Sequence, residues 1–271
     1  MTLLRLPFSS WRRARRRQRW LVGIASAVGA WLGTAPAWAE SRLVGSDYIS
    51  RPLVLPKGVL RIDAGPRRPY PTGQVMPAGQ LQFFINQDYD DAAYLVPGAG
   101  VGAIDKLELG GVWPLRISPD LNLSDLSLYG KYSLQRGQIE VAGYAELLIP
   151  VENVLEITGG VPVYIHLDGL RLETGGFVRL GFGDDTTVSF EIPVSAPIQV
   201  SPEVFVGPEV GVLIQDFKDV AIPVGVVAGY TLGGGISSIG DLLARLTLVD
   251  VTNGADTIRL DLGAELFFDI F

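Results

Sequence analysis

The sequence predicts an all-β protein, a transmembrane antiparallel up-and-down β-barrel of about twelve strands, with ten to fourteen admissible. Three observations lead there. Apolar and polar residues alternate over stretches of ten to fourteen residues. An export-type segment precedes them. The rest of the chain holds no further apolar run of about 18 residues that could cross a bilayer as a helix.

The alternation is the primary signal. In QIEVAGYAELLI (138–149), Ile139, Val141, Ala145, Leu147 and Ile149 share one face, with Glu140 and Glu146 on the other. In 187–200, Val188, Phe190, Ile192 and Val194 oppose Glu191 and Gln199. The last segment, TIRLDLGAELFFDIF, sets Ile258, Leu260, Leu262, Ala264, Leu266, Phe268 and Ile270 against Arg259, Asp261, Glu265 and Asp269. A period of two marks strands. Ordinary strands run about 5–6 residues and tilted membrane strands about 9–11, so these lengths favour a barrel over a soluble sandwich.

Strands are expected near 58–64, 79–88, 104–115, 125–134, 138–149, 155–166, 170–182, 187–200, 203–214, 219–232, 241–250 and 257–271. Between them lie short turn signals such as QRGQ (135–138), LDG (167–169), GDDT (183–186) and SPE (201–203). GAGVG (98–102) and GGG (233–235) read as turns, since neither has the Gly-Lys-Ser/Thr end of a phosphate loop. Pro162, Pro193, Pro197, Pro208 and Pro223 fall within or close to strands and call for bulges or strand ends.

The first residues divide the chain. A basic start, an apolar stretch from about Trp20 to Leu32, Pro36 and the small residues of Ala37-Trp38-Ala39 form a secretory signal peptide over 1–39, cleaved after Ala39. Residues 40–57 are then a periplasmic N-terminal segment, and 58–271 the barrel in the outer membrane of a Gram-negative bacterium. The signal carries seven arginines and no acid, so removing it doubles the formal net charge of −7 to about −14. Nucleic acid is excluded as a partner, because phosphate binding needs clustered Lys and Arg. The chain has no cysteine and one histidine, which leaves no disulfide framework and no multi-histidine metal site. No cofactor is expected.

With the apolar face against outer-membrane lipid, the other face lines a lumen. Its acids are Glu108, Glu140, Glu146, Glu156, Glu173, Glu191, Glu203, Glu209, Asp261, Glu265 and Asp269, and its bases are Lys131, Arg171, Arg179, Arg245 and Arg259. Buried ions cost several kcal/mol each unless paired. Either a narrow, net-acidic aqueous path for small solutes or a salt-bridged filling with a structural or interaction role satisfies them. Inward glycines (Gly110, Gly160, Gly175, Gly207, Gly211, Gly225, Gly229) tilt the balance toward a path. Strand-end aromatics form girdles, Trp113, Phe182 and Phe217 on the outside and Tyr164, Tyr230, Phe267, Phe268 and Phe271 toward the periplasm.

No catalytic residue is expected. His166 is a lone histidine at a strand end with no serine nearby, against a barrel hydrolase that needs both. Asp88, Asp90 and Asp91 lack the glycine and distant glutamate of a calcium loop. Phe271 resembles the C-terminal aromatic read by the outer-membrane assembly machinery. The apolar set before it is shifted by one residue, placing Asp269 and Glu265 in its phase.

Three further stretches carry a family resemblance: SRPLVLPKGVLRID (50–63), AIDKLELGG (103–111) and DFKDVAIPVGVVAGYTL (216–232). They resemble the outer-membrane transporter family grouped with the meta-pathway of phenol degradation, and similar myxobacterial barrels. The resemblance implies a transporter barrel without catalytic residues.

Overall fold

The computed structural model of the chain describes residues 47–62, 80–86, 92–118, 121–123, 125–151, 154–183, 186–233, 240–252 and 257–270. The signal segment 1–39, residues 40–46, the Asp88/Asp90/Asp91 cluster and Phe271 lie outside them.

In chain order the strands are β1 (Val59–Ile62), β2 (Gln80–Asn86), β3 (Ala92–Val96), β4 (Gly98–Ile104), β5 (Leu107–Val112), β6 (Leu115–Ser118), β7 (Asn122–Leu123), β8 (Leu126–Gln135) and β9 (Ile139–Ile149). They continue as β10 (Leu155–Leu167), β11 (Leu170–Phe182), β12 (Thr186–Ser195), β13 (Ile198–Gln199), β14 (Val204–Gln215), β15 (Asp219–Ala221), β16 (Val224–Leu232), β17 (Gly240–Leu248) and β18 (Thr257–Asp269). Among the described residues every pairing is antiparallel, and apart from the closure on β18 it joins successive staves of an up-and-down barrel, a stave being one strand or two pieces in line. Gly137 and Gly169, at φ 123° and 71°, supply the left-handed residues of the turns after β8 and β10.

The ring closes on β18, which pairs with β17 on one side and with both β1 and β2 on the other. Val59–Ile62 face Asp269–Leu266, and Gln80–Asn86 face Gly263–Thr257, so β1 and β2 are two pieces of one stave. Five other staves are each cut in two, four of them at prolines: Pro97, Pro114, Pro197 and Pro223. The result is a closed barrel of twelve staves. The sequence reading also reached twelve, by a different route. It counted 58–64 and 79–88 separately and missed 92–104, where the apparent turn GAGVG is part of β4.

Pro197 and Pro223 sit at strand breaks as expected. Pro162, Pro193 and Pro208 do not; they lie inside β10, β12 and β14 without a register shift. The ladder skips them instead. Between β9 and β10 the pairing passes from Gly160↔Tyr144 to Val163↔Val141, omitting Pro162, which has no N–H to donate. Pro162 faces Gly175, the register of β11 and β12 sets Gly175 against Pro193, Pro193 faces Gly211, and Gly211 N–H donates to the Pro223 carbonyl at 3.1 Å. One cross-strand row therefore reads Pro-Gly-Pro-Gly-Pro.

The outer face is apolar. Leu109, Leu128, Ile157, Val178, Ile192, Val206, Val226, Leu246 and Leu262 are all exposed on the isolated barrel, which is the surface that hydrocarbon covers. Trp113, Phe182, Phe217 and Tyr230 are exposed as well. Tyr164 and Phe267 are not girdle residues: both are buried on the inner face, in phase with Arg171-facing positions and with Glu265.

Candidate functional site

The interior is built by the alternation itself, since every second residue of each stave points inward and a wall with apolar residues outside leaves its charges no other place. Glu108, Lys131, Glu146, Arg171, Glu173, Arg179, Glu191, Glu209, Arg259, Asp261 and Glu265 are buried there. Glu140, Glu156 and Arg245 are half-buried on the same face. Glu203 sits apart from these, in the 201–203 turn beside Ser201.

Counted along the strands from the turns at 105–106, 136–138 and 168–169, these charges fall into two tiers. The lower tier, nearest those turns, surrounds a piece of the chain itself. Residues 47–57 contact inward side chains of β5, β8, β9, β10, β11, β14, β17 and β18, and only a position inside the ring reaches all of them. The segment expected to lie on the periplasmic side of the barrel thus has its residues 47–57 in the lumen.

Main-chain atoms supply most of the grip. Leu55 N–H donates to Glu108 Oε2 at 3.0 Å and Leu53 N–H to Glu140 Oε2 at 2.7 Å. Lys131 Nζ donates to the Leu53 carbonyl at 3.0 Å. Arg171 Nη1 reaches the carbonyls of Tyr48 and Arg51 at 2.7 and 3.1 Å, with its guanidinium between the rings of Tyr48 and Tyr164. His166 lies 3.0 Å from both the Ile49 carbonyl and Glu140 Oε1. Side chains complete the seat: Tyr48 stacks on Phe205 at 3.7 Å, Leu53 and Val54 cluster with Ala142 and Tyr164, and Leu55 with Val59 and Phe267. Arg51 makes two bonds of 3.2 Å to Asp241, whose Oδ1 also accepts from Thr231 at 2.8 Å.

The wall's own charges are paired in both tiers. Below, Glu108 holds Arg61 and Lys131 at 2.8 Å each, and Arg171 binds Glu173. Above, Arg245 donates to Glu209 at 2.6 Å and lies 4.0 Å from Asp261, which also accepts from Arg259 at 3.1 Å. Arg179 faces Glu156 at 3.7 Å, and Glu146 accepts from Tyr144 at 2.6 Å and from Ser127.

Three of the inward glycines make room for rings rather than for a path. A Cβ on Gly110 would lie 2.4 Å from the Tyr129 ring, one on Gly160 2.1 Å from Phe177, and one on Gly229 2.1 Å from Phe205. Each seats an aromatic ring lying flat on the wall. A cavity of ≈ 210 Å³ lies in the lower tier between Ser50, Pro52, Val54 and Pro56 on one side and Ser133, Arg136 and Glu140 on the other.

Sequence reasoning missed Arg61, Asp241 and Arg51. The first two were findable, because each stands at the polar phase of an expected strand. Arg51 carried no periodic signal.

A closed antiparallel wall, apolar outside and charged within, defines the outer-membrane class of β-barrel. One solved structure agrees with this at the level of fold. An outer-membrane channel from Pseudomonas putida F1 is similar with a TM-score of 0.50 and 13% identity, over 79% of this chain and 97% of that one. Omp33 of Acinetobacter baumannii gives 0.42 and 10%, over 78% and 98%. The anion-selective porin of Comamonas acidovorans gives 0.37 and 11%, over 68% and 63%. No family model matches the sequence, and no curated protein matches it.

Proposed function

We propose that the protein is an outer-membrane channel for small hydrophilic or amphiphilic solutes, with a narrow, net-acidic lumen. The observation that carries this is the two-tiered set of charges inside a closed wall whose outer face is apolar. A barrel that needed only to be filled would be filled more stably by apolar side chains of equal volume. In this reading export uses a signal cleaved after Ala39, Phe271 guides assembly, and the transporter-like stretches at 50–63, 103–111 and 216–232 reflect a transport role. No side chain is asked to react; the inward carboxylates set the field that a solute crosses. A second reading, a barrel closed for a structural or interaction role, draws its support from residues 47–57 in the lumen.

Single-channel recording in a planar bilayer under a salt gradient separates the two. Discrete steps with a cation-directed reversal potential are expected, and the potential should move toward zero in the Glu140→Gln, Glu146→Gln, Glu173→Gln triple variant. An unchanged potential in that variant removes the acidic-lumen reading, and a folded barrel that never conducts supports the structural one.

A further inference from the structure

The geometry points to a regulatory site: the lower tier is a binding site for polypeptide main chain, and residues 47–57, which begin in a 3-10 turn at Tyr48–Ser50, are its displaceable ligand, closing the channel from within. This rests on the channel reading. Two features separate such a segment from a fixed part of the core.

The first is how it is held. Apart from its junction with β1, where Gly58 N–H meets the Gly102 carbonyl at 2.9 Å, the segment joins no strand ladder. Its amides and carbonyls go to the side chains of Glu108, Lys131, Glu140, His166 and Arg171, bonds that water can replace one at a time. Pro52 and Pro56 have no N–H to give to a neighbouring strand.

The second is what its departure leaves behind. Glu108 keeps Arg61 and Lys131, Arg171 keeps Glu173, and Glu140 keeps His166. A permanent filler would serve as counter-ion throughout the wall; this one does so at Asp241 and leaves the wall's own pairs intact. Among the described residues the ion pair between segment and wall is Arg51–Asp241, and Asp241 retains the Thr231 hydroxyl when Arg51 goes. Arg51–Asp241 is therefore the latch, and the other contacts form the seat.

The test uses the full chain, in which no natural cysteine competes. Leu53→Cys and Ala142→Cys place thiols in one buried cluster of segment and wall, and a disulfide or a short bis-thiol crosslinker ties them. Heat-modifiable gel migration checks folding. The reduced form should open in discrete steps, the tied form should show at least tenfold lower open probability, and reduction should restore it. Asp241→Asn, a conservative change without cysteines, should raise open probability severalfold over the unmodified protein. Equal conductance in the tied and reduced forms, or an Asp241→Asn variant that opens no more often, overturns the gate and leaves the channel standing. Folded barrels that stay silent in every form, Asp241→Asn included, overturn both.

Discussion

In the upper tier Arg245, Glu209, Asp261 and Arg259 bind side chain to side chain across β14, β17 and β18. In the lower tier Glu108, Lys131 and Arg171 make the same kind of pair and then spend further hydrogen-bonding capacity on main-chain atoms of 47–57. Both tiers neutralise buried ions; among the described residues, it is the lower one whose paired groups also bond the main chain of 47–57. Charge inside a barrel is thus not one function. Pairing keeps the wall folded, and leftover donors and acceptors on the paired groups create a site.

The largest expected effect comes from breaking a pair that serves both purposes. Glu108→Gln leaves Arg61 and Lys131 without their carboxylate and should cost about 3–5 kcal/mol in urea unfolding of the micelle-refolded barrel. It should also speed hydrogen exchange at the Leu55 amide, whereas Glu209→Gln should destabilise without touching that amide. A Leu55 amide equally protected in both variants would erase the distinction between the tiers. A smaller loss, about 1–3 kcal/mol, is expected for Gly229→Val, because the new side chain meets the Phe205 ring and lifts it out of its stack with Tyr48. The smallest belongs to Arg136→Ala. Its partner Asp105 is 3.5 Å away at an exposed turn, and unfolding should shift by less than about 0.5 kcal/mol.

What was legible in the sequence was whatever the pleat dictates. The phase of Glu140 and Glu146 in one segment and of Arg259 and Asp261 in another placed them inward, and those positions are inward. The 92–104 stave was not legible, because GAGVGAI has the composition of a turn. Its glycines answer to the interior: a Cβ on Gly102 would sit 1.9 Å from the Pro56 carbonyl oxygen, and one on Gly100 2.5 Å from the Tyr129 hydroxyl. The small residues exist because the inner segment and an aromatic ring press on that strand. The same reason hid the seat of 47–57. Its partners come from eight strands, and no local pattern announces a contact assembled only when the ring closes. The girdle residues Tyr164 and Phe267 failed similarly, since a strand-end aromatic looks alike whether it faces lipid or lumen.

The Pro-Gly-Pro-Gly-Pro row has a mechanical meaning. A barrel resists squeezing because each stave is tied to the next at regular intervals, and here the ties are thinned along one line running from Pro162 to Pro223. Glycine alternating with the ring of proline leaves little side-chain bulk to stiffen that line. The wall is therefore expected to be softest along that row, where Pro162 and Pro193 have no N–H to tie one stave to the next.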